Sequence, residues 1–235
     1  MNDYEKRRVD VQHGEKGKKV TEMNSSTRAV YYYLLAKSTW NLAHNEDHYY
    51  IRKKDINKTD MSKRLGYSRP TIYKCIDTLK EKGKIFEDEN YYIIFWPKPY
   101  ATMRQEVLEY LIGYFKSFGS DIIWLLAILK SLPESERKQG FNASELVYML
   151  EHCPDRATRA NVRAMLYILQ EDGFIKMRNV WTTNNLGVSY YIYKFDEISI
   201  ERLPIQIDKD GAIDIERCDR AKRQFLEKEK EENIA

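Results

Sequence analysis

Two short stretches of the sequence concentrate side chains that can hydrogen-bond to the edges of DNA bases. The polar members of the first stretch are Ser68, Arg69, Thr71, Tyr73 and Lys74. The polar members of the second are Arg156, Thr158, Arg159, Asn161 and Arg163. An arginine can donate two parallel hydrogen bonds to guanine, and an asparagine can exchange two with adenine. The second stretch holds three cations and no acidic residue, so we interpret it as a base-reading surface in preference to a merely solvated helix face.

Other polar residues beside these stretches could contact the DNA backbone. The cations among them are Lys63, Arg64, Lys176 and Arg178. Cations of this kind bind phosphates and contribute affinity that does not depend on sequence. The segment TTNN, which ends with Asn184 and Asn185, is small and uncharged. We interpret it as a hairpin tip that can follow a DNA backbone or a minor groove.

The corresponding tip after the first stretch is acidic, since it consists of Glu87, Asp88 and Glu89. Phosphates repel carboxylates. Either this hairpin points away from DNA, or the partner of this part of the chain is a protein. The sequence leaves both interpretations open.

A helix must position each stretch, and the first is clearest in the run LGYSRPTIYKCIDTLKEKGKI, residues 65–85. Ser68 is a good N-cap, and a proline two residues later suits the first turn. Ile72, Ile76 and Leu79 share one helical face, and Gly83 ends the helix. The run therefore predicts a helix with one buried face and one polar face.

The same pattern returns ninety residues later. The matched pairs are Arg69 with Arg159, Ile72 with Val162, Ile76 with Leu166, Leu79 with Leu169, Gly83 with Gly173, and Ile85 with Ile175. Each helix follows a shorter helix and precedes a hairpin, so the similarity indicates a structural repeat. In a winged helix the elements follow the order helix, strand, helix, turn, helix and hairpin. The third helix can enter the major groove of DNA.

The predicted fold class is mainly α with small β-hairpins (α+β), as two winged helix-turn-helix domains in tandem. The predicted segments are a flexible N-terminal arm (1–24), a first domain (25–96), a linker (97–101), a second domain (102–197) and a charged, partly helical tail (198–235). The linker prediction depends on Pro97 and Pro99, which stiffen the chain.

Bulk composition is that of an ordinary globular protein. The chain has 235 residues, of which 43% are hydrophobic and 32% charged, and its net charge is +3. Its first residues lack an apolar leader segment, and no apolar run reaches the length of a membrane helix. The three cysteines are widely spaced, so no disulfide framework is expected. We therefore expect a cytoplasmic protein.

Residues that could perform covalent or metal chemistry are scattered. His44 and His48 are four residues apart, but the acid between them is misplaced for a HExxH zinc motif. His152 and Cys153 lack a second pair at metal-ligand spacing. We expect no enzyme activity, no metal site and no cofactor.

The run at residues 65–85 is similar to the recognition helix of many bacterial winged-helix regulators. Over roughly residues 25–195, the arrangement resembles the tandem winged-helix DNA-binding proteins of Gram-positive plasmids and phages, including replication initiators and replisome organisers. The resemblance implies sequence-specific binding of double-stranded DNA, with the chain itself (as a dimer) or replication proteins as further partners. The alternatives are a transcriptional regulator, a conjugation accessory protein, or a protein-interaction scaffold that does not bind DNA.

Overall fold

The structure is a computed structural model, and it describes residues 8–12, 23–40, 48–95, 100–114, 119–150 and 156–200. The chain divides into two compact units. Unit 1 comprises Met1–Gly14 and Val20–Ala127, and unit 2 comprises Glu15–Lys19 and Ile128–Ala235. None of the helices in the described ranges is long and apolar enough to cross a membrane.

Unit 1 combines helices with two small antiparallel sheets. Its elements are β1 (Arg8–Gln12), α1 (Ser25–Lys37), β2 (Thr39–Trp40), β3 (His48–Arg52), a 3-10 turn (Lys53–Asp55), α2 (Lys58–Leu65), α3 (Arg69–Glu81), β4 (Ile85–Glu87), β5 (Tyr91–Phe95), β6 (Tyr100–Arg104), α4 (Gln105–Tyr114) and the beginning of α5 (Gly119–Ser131).

The core of unit 1 forms around α1, whose side chains from position 27 to position 36 are all buried. The predicted apolar face of α3 is confirmed, since its buried residues are Ile72, Cys75, Ile76 and Leu79. The main sheet has the strand order β2-β3-β5-β4. The predicted turn between the two hairpin strands is also confirmed, because β4 ends at Glu87 and β5 begins at Tyr91.

The prediction of a flexible arm over residues 1–24 is wrong for residues 8–12, which form β1. This strand pairs antiparallel with β6, so that Val9 lies opposite Met103 and Val11 opposite Ala101. Met103 and Ala101 are buried. The alternation of polar and apolar residues in RVDVQ is the pattern of a strand with one covered face. Asn24, also in the predicted arm, is the N-cap of α1.

A buried ion pair joins α1 to the beginning of α5. Arg28 Nη2 lies 2.7 Å from Asp121 Oδ1, and the two side chains are 2% and 8% exposed. Ser25 donates a hydrogen bond to the same carboxylate, and the Arg28 guanidinium stacks over the ring of Trp124. The boundary between the units consequently falls after Ala127 and not at 97–101, where the sequence placed a linker. Residues 97–99 lie outside the described ranges.

After the end of α5, unit 2 contains α6 (Glu134–Gln139), β7 (Phe141–Asn142), α7 (Ala143–Met149), α8 (Arg156–Glu171), β8 (Ile175–Thr183) and β9 (Ser189–Ile198). Unit 2 thus contains one segment, β7-α7-α8-β8-β9, with the same element order as the segment β3-α2-α3-β4-β5 of unit 1. Asn142 caps α7 in a capping box with Glu145. Val162, Leu166 and Leu169 are buried, so the predicted face of α8 is confirmed.

The sheet of unit 2 has the order β7-β9-β8, and the last three strands of the unit 1 sheet have the matching order β3-β5-β4. In both units the third strand lies between the first and the second. These small antiparallel sheets beside helices confirm the predicted α+β class. Of the predicted tail, only residues 198–200 lie within the described ranges.

Candidate nucleic-acid interface

A tight turn positions α3 on the surface of unit 1. Gly66 ends α2 in the left-handed conformation (φ 72°), which glycine adopts without a steric penalty. The hydroxyl of Ser62 donates a 2.6 Å hydrogen bond to the carbonyl of Tyr67, which holds the turn closed. Ser68 then caps α3 by accepting a hydrogen bond from the backbone N–H of Thr71. The predicted cap of α3 is confirmed, and α2 is capped by Asn57 where the sequence suggested Thr59.

The polar face of α3 and the end of α2 form an exposed cationic surface. We call it the α2–α3 surface, and it consists of Lys63, Arg64, Ser68, Arg69, Thr71, Tyr73 and Lys74. All of these side chains are exposed except that of Thr71, which is half-buried. Within the described part of the chain, Lys63 and Lys74 take part in no ion pair. Their charges are therefore available to an external anion.

Besides Ser68 and Thr71, which hydrogen-bond to each other, three members of the α2–α3 surface have internal partners. Arg69 donates a 2.5 Å hydrogen bond to the hydroxyl of Thr59, and Arg64 lies 3.7 Å from Asp60. The ammonium of Lys58 lies 4.3 Å from the centre of the Tyr73 ring. These contacts orient the side chains but leave them exposed, which preserves their capacity to bind. One turn further along, the exposed carboxylate of Asp77 limits the cationic surface to the first two turns of α3.

The polar residues of α8, which the sequence predicts to be a base-reading surface, are only partly exposed. Thr158, Arg159, Asn161 and Arg163 are half-buried, and the side chain of Arg156 lies outside the described set. Thr158, Arg159 and Arg163 already interact with other groups of the protein. Tyr167, further along the helix, is exposed. The predicted residues lie along the first turns of α8 but not on a single face, and they are less open than the equivalent residues of α3.

One of the three carboxylates at the acidic hairpin tip of unit 1 is neutralised from within. The carboxylate of Glu87 forms ion pairs with Lys53, at 2.7 Å, and with Lys80. Hydrogen bonds from Lys53 and Lys80 lower the pKa of Glu87. Asp88 accepts hydrogen bonds from the backbone N–H groups of Asn90 and of Tyr91, the first residue of the return strand. Glu89 is exposed and has no such contact among the described residues, so the tip is less negative than its sequence implies.

In the hairpin of unit 2, one of the two cations that the sequence assigned to phosphate is paired within the protein. Arg178, predicted to meet phosphate, forms two hydrogen bonds of 2.8 and 2.9 Å with the carboxylate of Asp196. This pairing lowers the pKa of Asp196 and offsets the charge of Arg178. Lys176 is exposed, as predicted. Arg178 is therefore a weaker phosphate ligand than the sequence suggested.

The tip of that hairpin is not the segment TTNN. The two threonines belong to β8, and the turn runs from Asn184 to Val188. The side chain of Asn184 accepts hydrogen bonds from the N–H groups of Leu186 and Val188, so it holds the turn instead of facing a ligand. Asn185 is exposed, and Leu186 is the apex. The sequence interpretation missed this apolar apex, although the absence of charge from 179 to 193 was a visible signal.

Metal-ligating side chains do not cluster in the described ranges. No group of three or more His, Cys, Asp or Glu side chains there could hold a metal ion. His44, His152 and Cys153 lie outside these ranges, and His48 packs edge-on against Phe95, with 4.8 Å between ring centres. Comparison of the chain with protein-family models, with curated proteins and with solved structures found no match.

Proposed function

We propose that this chain is a cytoplasmic, sequence-specific double-stranded DNA-binding protein with two winged-helix domains, and that it initiates replication of a plasmid or phage. The observation that carries the proposal is the α2–α3 surface. It combines exposed cations with a capped helix N-terminus, and the nearby carboxylates of Asp60 and Asp77 lie 3.7 Å from Arg64 and Lys80, respectively. A helix N-terminus and adjacent cations both favour a bound phosphate.

The element order of the two units supports the winged-helix part of the proposal. Each unit contains a strand, two consecutive helices and a hairpin, and in each the third of these strands lies between the other two. In a winged helix this order presents the second helix of the pair to the major groove. That helix is α3 in unit 1 and α8 in unit 2.

The α2–α3 surface divides into two kinds of contact. Lys63 and Arg64, at the end of α2, are placed to bind phosphates and to set the position of α3. Arg69, Tyr73 and Lys74 lie on the first turns of α3, where side chains reach base edges. In unit 2, Thr158, Arg159, Asn161 and Arg163 are the corresponding candidates for base reading, once their present contacts are exchanged for contacts with DNA.

The salt dependence of DNA binding tests this assignment. Affinity of the full chain for a random duplex, measured by fluorescence anisotropy between 50 and 200 mM salt, should fall steeply because binding releases counterions. The double variant Lys63→Ala/Lys74→Ala should lower the slope of log affinity against log salt by about 1, because only Lys63 of the two is assigned to phosphate and each phosphate contact contributes roughly 0.9. Lys82→Ala is the matched control, because Lys82 is an exposed cation at the opposite end of α3. It should leave the slope unchanged.

Footprinting on the native replicon tests the biological role. Protection of a discrete site within the replication origin would support initiation. Protection confined to an operator upstream of a gene, or to a transfer origin, would instead favour a transcriptional regulator or a conjugation accessory protein.

A second candidate function, a protein-interaction scaffold without DNA binding, is favoured by the uncharged apolar hairpin of unit 2. The same anisotropy series separates the two. A scaffold would show no salt-dependent affinity for duplex, and Lys63→Ala/Lys74→Ala would then change nothing.

A further inference from the structure

The outer part of the unit 2 hairpin carries no charge. We call residues 179–193 (NVWTTNNLGVSYYIY) the distal hairpin, and they include no Asp, Glu, Lys, Arg or His. In a chain that is 32% charged, fifteen residues would hold about five charged side chains on average. A solvent-facing hairpin without any is therefore a strong departure from the rest of the molecule.

Large apolar side chains of the distal hairpin are exposed. The exposed fractions are 39% for Val180, 51% for Trp181, 86% for Leu186 and 57% for Val188. Monomeric proteins rarely display contiguous apolar surface of this kind unless it binds a partner. Trp181 also packs edge-on against Tyr191, with 4.5 Å between ring centres, so both members of this cross-strand pair are aromatic.

The distal hairpin has a defined shape. Besides the two hydrogen bonds accepted by the side chain of Asn184, its backbone N–H donates to the carbonyl of Val188 at 3.0 Å. The hydroxyls of Thr183 and Ser189 lie 2.8 Å apart across the two strands. A surface ordered before binding loses less conformational entropy on association. The hairpin is thus prepared for a contact.

β8 is also an open sheet edge, because its only strand neighbour in the described part of the chain is β9. Proteins usually block open edges with charges, prolines or short strands. In unit 1 the equivalent edge strand, β4, has only three residues and contains Glu87. The outer half of β8, from Asn179 to Thr183, has none of these protections.

We propose that the distal hairpin is a dimerisation surface, in which the outer half of β8 pairs antiparallel with the same strand of a second copy of this chain. In a two-fold contact each residue meets its own counterpart or a near neighbour, so charged strands would place like charges together. The outer half of β8 avoids that penalty. With the axis at Trp181, Val180 faces Thr182 of the partner subunit and Asn179 faces Thr183 of the partner subunit.

A second copy fits this surface better than a nucleic acid does. Binding of nucleic acid depends on cations that neutralise phosphate. The nearest cation along β8 is Arg178, and its charge is already paired with Asp196. The apolar hairpin therefore offers burial of apolar area and strand pairing, which are the contacts that a protein edge supplies.

Sedimentation velocity of the full chain without DNA tests the proposal independently of the proposed function. The natural chain should show a concentration-dependent monomer–dimer equilibrium. Trp181→Lys should weaken dimerisation at least about tenfold, because two ammonium groups would meet at the axis. The matched control is Phe86→Lys, which changes an equally exposed apolar residue (55%) in the unit 1 hairpin and should leave the dimer intact.

A charge-complementation experiment distinguishes the loss of dimerisation from the misfolding of a variant. Trp181→Asp alone should also be monomeric, whereas an equimolar mixture of Trp181→Lys and Trp181→Asp should associate again, since opposite charges then face each other. A natural chain that stays monomeric at about 100 μM, where an association with a dissociation constant in the micromolar range would be populated, would overturn the proposal. So would a mixture that fails to associate, or a Phe86→Lys variant that loses the dimer equally.

Discussion

Both units contain the order strand, helix, helix and hairpin, but they differ in where they expose charged side chains. Unit 1 exposes cations on α2 and α3, and its short hairpin carries charges, of which Glu87 is paired. Unit 2 half-buries the polar residues on the first turns of α8, and its long hairpin ends in an uncharged, apolar segment. Within the described ranges, the buried charged side chains, Arg28 and Asp121, also lie in unit 1.

This contrast indicates that a shared order of strands and helices does not imply a shared partner. The order of helices and strands is set by buried apolar faces, whereas the partner is set by what the surface exposes. The surface of unit 1 suits a polyanion. The hairpin of unit 2 suits another protein surface.

The largest expected effect concerns the buried charge of unit 1. Asp121→Ala leaves the Arg28 guanidinium buried without its carboxylate, so we expect the free energy of unfolding to fall by about 3–5 kcal/mol. Urea denaturation followed by tryptophan fluorescence measures this. The control, Asp77→Ala, removes an exposed carboxylate 3.7 Å from Lys80 and should change stability by less than about 0.5 kcal/mol. Similar small losses from both changes would contradict a structural role for the buried pair.

The next prediction tests how firmly the hairpin of unit 2 is held at its base. Gly140 has φ 86°, and an added Cβ would lie 2.6 Å from the carbonyl oxygen of Tyr193 in β9. Gly140→Ala should therefore destabilise the protein by about 2–4 kcal/mol in thermal or chemical unfolding. Gly187→Ala, at the hairpin tip, has φ 77° and meets nothing within 4 Å. It should cost only about 1–2 kcal/mol, and an equal loss at both sites would argue against close packing at the base.

A third prediction separates the two cations of the unit 2 hairpin and depends on the proposed DNA binding. Lys176→Ala should lower the slope of log affinity against log salt by at most about 0.9, the value for one phosphate contact. Arg178→Ala should change it little, because the guanidinium is already bound by Asp196. Anisotropy titrations at several salt concentrations give both slopes. Equal decreases for the two variants would show that Arg178 leaves Asp196 for phosphate and would weaken the contrast between the units.

The smallest expected effect is the pH dependence of the unit 1 hairpin. The pKa of Glu87 is lowered from its ordinary value of 4.5 by Lys53 and Lys80, so the folded state favours the ionised carboxylate. This contribution is present above pH 4.5 and is lost as the pH falls through the lower folded-state pKa. Glu87→Gln should cost about 1 kcal/mol or less at pH 7 and nothing at low pH, as measured by chemical denaturation. Glu89→Gln, the control, should show no such pH-dependent difference.

The sequence by itself determined the elements whose signals are local. The buried faces of α3 and α8 follow from apolar residues spaced three and four apart, and caps such as Ser68 and Asn142 need only neighbouring backbone groups. The positions of both hairpins and the α+β class follow from the same short-range patterns. These features are predictable because each depends on residues within one or two turns of the chain.

Only the tertiary structure determined which charged side chains remain available to an external partner. Asp121 pairs with Arg28 across 93 residues, and Arg178 pairs with Asp196 across 18, so neither partner is visible in a short window of sequence. Ion pairs of this long-range kind also neutralise Glu87, and they are one cause of the difference between the two units. The residue type determines whether a side chain is charged, but its exposure and its ion-pair partners depend on which other residues the fold places next to it. The cations of the two units therefore look alike in the sequence and differ in the structure.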